Sequence, residues 1–195
     1  MNEQLLLAPQ PTNKRIADLG GADFYPTPEW ATASLLDQER FDGSVWECAC
    51  GDGAMSEVIK DYGYDVFSSD LYDRGYGKSG VDFISSVKKV DNVITNPPFH
   101  SAEQFVSSGL QKTSKKLALL LRLAFLESAR RQTNIFNITP PSRVWVFSER
   151  ITFYPKGAER KGNGTTAYAW FVWDKSCVDK TELCWLPIRK KKSVF

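Results

Sequence analysis

Segments of strand character alternate with segments of helical periodicity from residue 24 onward. This order is typical of an α/β fold with a mainly parallel sheet, because parallel neighbours need a crossover, usually a helix, between them. Short apolar runs predict strands at 44–47, 64–69 and 90–95. Thr27 as N-cap and Pro28 in the first turn predict a helix that runs to about residue 38. Helical periodicity predicts a second helix after Gly53 and a third after Pro98.

The second half of the chain predicts three further strands. Residues 117–126 are apolar apart from Arg122, which is typical of a central strand covered on both faces. A buried helix of that length would show the same pattern, but the position in the alternation favours a strand. Residues 142–153 and 166–173 are rich in aromatic and β-branched residues and predict an antiparallel pair joined by a long exposed loop.

The composition is that of one globular domain with a core, since 42% of the 195 residues are hydrophobic and 13% aromatic. No apolar run could span a bilayer, and the leucines at 5–7 are too few for a signal peptide, so a cytoplasmic location without a membrane partner is expected. Four cysteines with the single histidine His100 predict free thiols and no metal site. The chain divides into an arm (1–23), a domain (24–187) and a basic tail (188–195).

The charges are distributed unevenly along the chain. Residues 1–100 hold 8 basic and 16 acidic residues, whereas residues 101–195 hold 17 basic and 7 acidic ones. This asymmetry indicates a basic surface formed mostly by the second half, which would suit a polyanionic partner. A chance clustering of solvated lysines is the alternative.

Two groups of polar and glycine residues follow predicted strands, at the sheet edge where open α/β sheets bind ligands. In the first, Gly51, Asp52 and Gly53 precede a helix, and glycine lets a cofactor approach the backbone and the N–H groups of the helix end. Asp70 ends the next strand, where an acidic residue can accept hydrogen bonds from ribose hydroxyls. The pattern indicates a nucleoside site. An ordinary strand-to-helix turn beside a solvated aspartate is the alternative.

The second group is Asn96-Pro97-Pro98-Phe99, directly after the strand at 90–95. The prolines fix the backbone so that the Asn96 side chain and the Pro97 carbonyl can face one point, and Phe99 offers a flat stacking surface beside them. The motif therefore predicts a pocket for an amino group on a flat ring. A simple turn with Phe99 in the core is the alternative.

These motifs occur in a recognisable order: Phe24-Tyr25-Pro26-Thr27-Pro28, Glu47 to Gly53, Asp70, Asp82-Phe83 and Asn96 to Phe99. The series resembles the S-adenosylmethionine-dependent amino-methyltransferases, above all the DNA adenine-N6 enzymes with the gamma order of motifs. It resembles most closely the small stand-alone forms encoded by bacteriophages, and the similarity runs over most of residues 24–174. The resemblance implies a Rossmann-like class I methyltransferase fold, with a mainly parallel seven-stranded sheet, helices on both faces and a C-terminal antiparallel pair.

The resemblance also implies a role for each matching residue, with S-adenosylmethionine as the cofactor. The cofactor site would comprise Tyr25, Thr27 and Pro28 at the methionine end; Glu47, Cys48, Gly51, Asp52 and Gly53 around its amino and carboxylate groups; Asp70 at the ribose; and Leu71, Asp82 and Phe83 at the adenine. Asn96, Pro97, Pro98 and Phe99 would form the catalytic motif, with Asn96 also touching the cofactor. The Cys48-Ala49-Cys50 segment departs from the family, where proline is frequent after the acidic residue.

The implied reaction is methylation of the N6 amino group of adenine in single- or double-stranded DNA. A base inside a duplex cannot reach such a pocket and would have to leave the stack. We expect phosphate contacts from Arg130, Arg131, Lys156, Arg160 and Lys161, whereas the run at 189–192 either adds to them or is a solvated tail. Arg122 is expected to lie near its strand's end and to pair with a carboxylate or backbone group rather than with DNA.

Little of the chain is left for a separate target-recognition domain, so weak sequence specificity is expected, and a homodimer could enlarge the binding surface. Four alternatives remain. The same motif occurs in enzymes that methylate RNA bases, cytosine N4 or a glutamine amide of a protein, and a non-catalytic nucleic-acid-binding module would use the same fold. The basic second half argues against the protein substrate.

Overall fold

The structure, a computed structural model, describes residues 24–154, 164–177 and 180–189. In this part of the chain there are seven strands: β1 (Val45–Glu47), β2 (Val66–Ser68), β3 (Val90–Thr95), β4 (Thr113–Arg122), β5 (Arg143–Phe147), β6 (Tyr168–Asp174) and β7 (Glu182–Leu186). The α-helices are α1 (Glu29–Leu36), α2 (Ala54–Asp61), α3 (Ala102–Lys112) and the single turn α4 (Ala129–Arg131), which continues as a π-helical turn (Gln132–Phe136). Short 3₁₀ turns lie at Phe99–Ser101 and Leu123–Leu126.

The strands form one sheet in the order β2-β1-β3-β4-β6-β5-β7. β6 runs antiparallel to both of its neighbours, and the other pairings are parallel. The predicted mainly parallel sheet and the antiparallel pair formed by β5 and β6 are therefore confirmed. β7 was not predicted from its own sequence, because only Leu186 in it is buried and no alternating pattern appears.

Helices cover both faces of the sheet, as predicted. The five buried leucine and alanine residues 117–121 of β4 alternate between the two faces. One face packs against α1 and α2 through Leu35, Met55 and Ile59, and the other packs against α3 through Phe105 and Val106. The central strand therefore contributes to two apolar layers at once, which explains its continuous apolar run.

Several predicted boundaries are wrong. β4 begins at Thr113 and ends at Arg122, and the last four residues of the predicted strand, Leu123–Leu126, form a 3₁₀ turn instead. The first residues of β4 are polar, so the apolar pattern does not show that the strand begins at Thr113. Charged residues among them are paired within the fold: Lys116, for example, forms an ion pair with Glu39 at 2.8 Å. Tyr62, predicted on the apolar face of α2, lies past the end of that helix and donates a hydrogen bond to Asp37 at 2.7 Å.

The start of α1 is also shifted by one residue. Pro28 is the N-cap residue, with φ −56° and ψ 134°, and the helix begins at Glu29. The predicted cap, Thr27, has a different role in the site described below. The arm 1–23, the candidate phosphate ligands Lys156, Arg160 and Lys161, and residues 190–195 of the tail lie outside the described residues. None of the described helices has the length and apolar character needed to cross a membrane.

Candidate functional site

A cavity of about 830 Å³ opens beside the carboxyl ends of β1, β3 and β4 and the amino end of the antiparallel β6. Of the predicted site residues, its lining contains Tyr25, Cys48, Asp70, Leu71, Asp82, Phe83, Asn96, Pro97, Pro98 and Phe99. Thr27, Pro28, Glu47, Gly51, Asp52 and Gly53 are outside this lining. Residues of both motifs that follow predicted strands thus line a single cavity, and the remaining residues of these motifs lie outside its lining.

The Asn96 side chain has one satisfied end and one unsatisfied end. Its Nδ2 donates a hydrogen bond to Thr27 Oγ1 at 3.0 Å. Its Oδ1 is buried and has no hydrogen-bond partner among the described residues. Buried polar atoms are nearly always paired in folded proteins, so an unpaired acceptor on a residue that lines a cavity indicates a donor supplied by a ligand.

Aromatic rings form the wall of the cavity next to Asn96. Tyr168 packs against Phe99 with ring centroids 5.6 Å apart and against Phe153 with centroids 5.0 Å apart. We call Phe99, Phe153 and Tyr168 the aromatic wall. Phe153 lies after β5, and Tyr168 is the first residue of β6. The sequence motif around Asn96 therefore does not predict them. The wall offers flat apolar surface beside an unpaired acceptor, which fits a ring carrying an amino group.

Asp70 holds the glycine loop after β1 against the end of β2. Its Oδ2 accepts a hydrogen bond from the Gly51 amide at 2.9 Å, and its Oδ1 accepts one from the Tyr72 amide at 2.9 Å. Gly51 has a φ of +55° and Gly53 a φ of +89°, values that favour glycine. The sequence predicted Asp70 as a ribose ligand, and the structure adds a bracing role for both of its oxygens.

Replacing Asp70 by asparagine is expected to destabilise the protein by about 1–3 kcal/mol, because one amide N–H would face an NH₂ group instead of an acceptor. Urea unfolding measures this change. Asp73→Asn is the matched control, since Asp73 is exposed and accepts a single bond, from Gly75 at 3.0 Å. Equal losses in the two variants would contradict the bracing role.

Glu47 lies behind the cavity at the end of β1 and is 1% exposed. Its Oε1 accepts hydrogen bonds from the Thr95 hydroxyl and from the Ala49 amide. Burial raises the pKa of Glu47 to about 8, so this carboxyl is largely protonated at neutral pH in the free protein. Burial likewise raises the pKa of the neighbouring Cys48 thiol well above its usual value, which makes Cys48 an unreactive lining residue.

The Asp82-Phe83 pair reaches the cavity from the segment after β2. Asp82 accepts a hydrogen bond from the Ile84 amide at 2.9 Å, and a hydrogen bond from Ser85 is the main cause of its lowered pKa. Phe83 is only 2% exposed, because its ring packs into the core against Trp46 and Phe105. Asp82 is thus an ionised group at the cavity, whereas most of the Phe83 ring belongs to the core.

Arg122 differs from its prediction. It lies at the end of β4, as expected, but among the described residues no carboxylate is within ion-pair distance of it. Its guanidinium instead lies over the Phe99 ring, 4.8 Å from the centroid, and lines the cavity. The position of Arg122 could be predicted from the sequence but its partner could not, because the aromatic contact joins residues from different strand ends.

The two predicted phosphate ligands that the structure describes have different environments. Arg131 donates hydrogen bonds to the Phe125 and Ala124 carbonyls at 2.7 and 3.2 Å and lies 3.5 Å from Glu103, so it stabilises the turn before α4. The Arg130 side chain is 74% exposed, although it also pairs with Glu103. Both line a second cavity of about 370 Å³ that shares Phe99 and His100 with the first. Arg130 therefore remains the more accessible candidate of the two.

Comparison with known proteins finds similarity of structure rather than of sequence. No family model matches the chain, and a search of curated proteins finds no significant relative. Among solved structures, a modification subunit assigned to a type I restriction enzyme of Vibrio vulnificus is similar with a TM-score of 0.59 and 13% identity, over 88% of this chain and 48% of that one. This chain therefore spans about half the length of that subunit.

Two other solved structures are similar over most of the chain. A protein assigned as an RNA methyltransferase from Pyrococcus horikoshii gives a TM-score of 0.54 and 17% identity, over 75% of this chain and 79% of that one. One assigned as a class I S-adenosylmethionine-dependent methyltransferase from Listeria monocytogenes gives 0.55 and 16%, over 81% and 64%. The predicted Rossmann-like class I methyltransferase fold is thereby confirmed.

Proposed function

We propose that this protein transfers a methyl group from S-adenosyl-L-methionine to an exocyclic amino group of a nucleobase, namely N6 of adenine in DNA. The observation that carries the proposal is the buried, unpaired Oδ1 of Asn96, a residue that lines the cavity. An amino group donates hydrogen bonds and would satisfy this acceptor. The structural likeness to a modification subunit assigned to a type I restriction enzyme and to a protein assigned as an RNA methyltransferase supports the same class of reaction.

The residues at the glycine-loop end of the cavity fit the cofactor. Asp70 and Asp82 line this end, and Glu47 lies behind it, so three carboxyl groups stand near a ligand that carries an ammonium and a sulfonium group. Leu71 is 50% exposed on the same lining and offers apolar surface to an adenine ring. When bound, the cofactor supplies an electrophilic methyl group on its sulfonium. Gly51 and Gly53 shape the loop that follows Glu47, and Asp70 holds that loop in place.

The residues at the other end of the cavity fit the acceptor base. The lone pair of an adenine amino nitrogen is delocalised into the ring, which makes the nitrogen a poor nucleophile. Hydrogen bonds from the amino group to Asn96 Oδ1 and to the Pro97 carbonyl favour a pyramidal nitrogen and localise the lone pair. Nδ2 of Asn96 donates its hydrogen bond to Thr27 Oγ1 at 3.0 Å, so the amide oxygen is available to accept a hydrogen bond from the base. Catalysis then rests on positioning and on fixed dipoles.

Proton transfer needs no dedicated base in this scheme. The nitrogen becomes acidic only as it is methylated, so its proton can leave late to solvent. His100 lies next to Phe99 and is exposed, which suits a mouth residue without a role in proton transfer. The aromatic wall holds the extruded base by stacking, so the substrate is single-stranded or loses its target base from the helical stack.

An assay of three polymers side by side tests the proposal. The protein is incubated with isotope-labelled cofactor and DNA, RNA or a protein mixture, and the nucleosides are identified by mass spectrometry. We expect N6-methyladenine in DNA, at sites that sequencing shows to share few or no flanking bases. Label in RNA alone, in cytosine alone or in protein alone would contradict the adenine-DNA assignment, and a strict recognition word of four or more bases would contradict low specificity.

RNA is the second candidate substrate, and one observation favours it. A protein assigned as an RNA methyltransferase from Pyrococcus horikoshii is similar in structure, with a TM-score of 0.54 over 75% of this chain. The cavity chemistry is the same for adenine in either polymer, so the assay above decides between them.

A further inference from the structure

Arg122 is an exposed cation that follows five buried residues on the central strand. Its guanidinium lies over Phe99, and across the sheet its Cα partner is Tyr168. Burial raises the pKa of Tyr168, and the positive charge of the nearby Arg122 guanidinium opposes that rise. Two members of the aromatic wall thus lie beside the charged group on the lining of the cavity.

Arg130, Arg131, Arg143 and Arg189 pair with carboxylates, whereas Arg122 and Arg74, which both line the cavity, lie over aromatic rings. Arg143 binds Asp174 at 2.9 Å, and Arg189 binds Glu149 at 2.7 Å. The two carboxylates on the lining of the cavity already accept hydrogen bonds from backbone amides: Asp70 from Gly51 and Tyr72, and Asp82 from Ile84. Within the described residues, the guanidinium of Arg122 has no ion-pair partner.

We infer that Arg122 binds a backbone phosphate adjacent to the target base, so that the cavity selects a nucleotide within a polymer rather than a free base or a peptide amide. This inference rests on the proposed function and deepens it. A base that enters beside Phe99 brings a phosphate on each side of its sugar to the cavity mouth. A guanidinium presents several donors in a planar fork that matches phosphate oxygens. The neutral base itself offers no charge for Arg122 to neutralise.

The contact with Phe99 explains how one arginine can serve this purpose without a carboxylate to orient it. Cation–π attraction to the Phe99 ring, on a strand end fixed by the pairing of Arg122 with Tyr168, positions the guanidinium before a ligand arrives. The base-stacking surface and the phosphate ligand are then part of one unit. Substrates that lack the phosphate lose this contact while keeping the hydrogen bonds at Asn96.

The test measures the affinity of wild type and Arg122→Gln for a labelled oligonucleotide with a single adenine, by fluorescence anisotropy in the presence of S-adenosylhomocysteine. A second oligonucleotide carries neutral methylphosphonates on both sides of that adenine. We expect wild type to bind the neutral form about ten- to a hundredfold more weakly, and Arg122→Gln to bind both forms equally. The slope of log affinity against log salt should fall by about one in the variant. Arg40→Gln, a change at an exposed residue after α1, should behave as wild type.

The two failures can be told apart. An equal loss in wild type and Arg122→Gln on neutralising the phosphates, or no loss in either, would overturn the role of Arg122 even if DNA is methylated. Absence of any methylated nucleoside would contradict the proposed function instead. The affinity measurement needs no turnover, so it tests Arg122 in either case. A thermal unfolding scan of Arg122→Gln that matches wild type excludes misfolding as the cause of weaker binding.

Discussion

Asn96→Ala is expected to lower the rate constant for methyl transfer by about 10²–10³-fold, the usual loss when one preorganised hydrogen-bonding group is removed from a reaction centre. The substitution removes Oδ1, the buried unpaired acceptor of a residue that lines the cavity, and with it the proposed hydrogen bond that localises the lone pair of the amino nitrogen. Cofactor affinity, measured by titration calorimetry, should change little because the carboxyl groups near the cofactor remain. Single-turnover assays with saturating cofactor report the chemical step itself.

Two variants serve as controls for this result. Asn134→Ala removes the same amide from an exposed position in the turn after α4 and should leave turnover unchanged. Thr27→Val removes the partner of Nδ2 and lets the amide rotate, so turnover should fall by less than in Asn96→Ala. A fully active Asn96→Ala, or a parallel loss of cofactor affinity, would contradict the proposed role of the Asn96 oxygen.

The strands that place the site could be predicted because they carry a local signal. β1 and β3 are short apolar runs that end at polar motifs, and their carboxyl ends lie together in any parallel sheet. β7 has no such signal: four of its five residues are exposed or half-buried, and it joins the sheet by pairing with β5. Its place depends on a partner strand more than thirty residues earlier, which local periodicity does not report.

The same distinction separates the two halves of the site. Asn96, Pro97 and Phe99 lie within four residues of sequence and can be found as a motif. Tyr168 lies near them only because β6 pairs with β4 in a register that places Tyr168 opposite Arg122. Thr27 could be singled out as a helix cap, but its bond to Asn96 joins residues 69 positions apart. The groups at strand ends, Phe99 among them, could therefore be predicted from the sequence, whereas the other two members of the aromatic wall, Phe153 and Tyr168, could not.

Charge patterning was informative only in part. The basic second half predicted a surface for a polyanion, yet Arg143 and Lys116 form ion pairs with Glu39 and Asp174 across the sheet. The pairs with Glu39 join bases of the second half with an acid of the first, and those with Asp174 lie within the second half, so part of the basic charge is neutralised inside the fold. Arg122 is a basic residue of the second half that remains exposed and lines the cavity. Part of the excess positive charge of the second half therefore lies at the cavity.

Glu47 should make the free protein less stable as the pH rises from about 4.5 to about 8. The folded state raises the pKa of this buried carboxyl, so it binds more protons than the unfolded state over that range, and the free energy of unfolding falls with pH. A shift from 4.5 to about 8 corresponds to a change of roughly 3–5 kcal/mol across the window. Urea unfolding at several pH values measures it, and Glu47→Gln should remove this dependence because glutamine does not titrate.

The difference between wild type and Glu47→Gln isolates this carboxyl from other titrating groups, and Glu29→Gln, at an exposed residue, should retain the wild-type slope. In the proposed function the cofactor's ammonium group favours ionised Glu47, so cofactor binding near neutral pH should release a proton and strengthen as the pH approaches about 8. Calorimetry in buffers of different ionisation enthalpy counts that proton. A wild-type stability that rises between pH 5 and 8 relative to Glu47→Gln would contradict a protonated Glu47, and binding without proton release would place the ammonium group elsewhere.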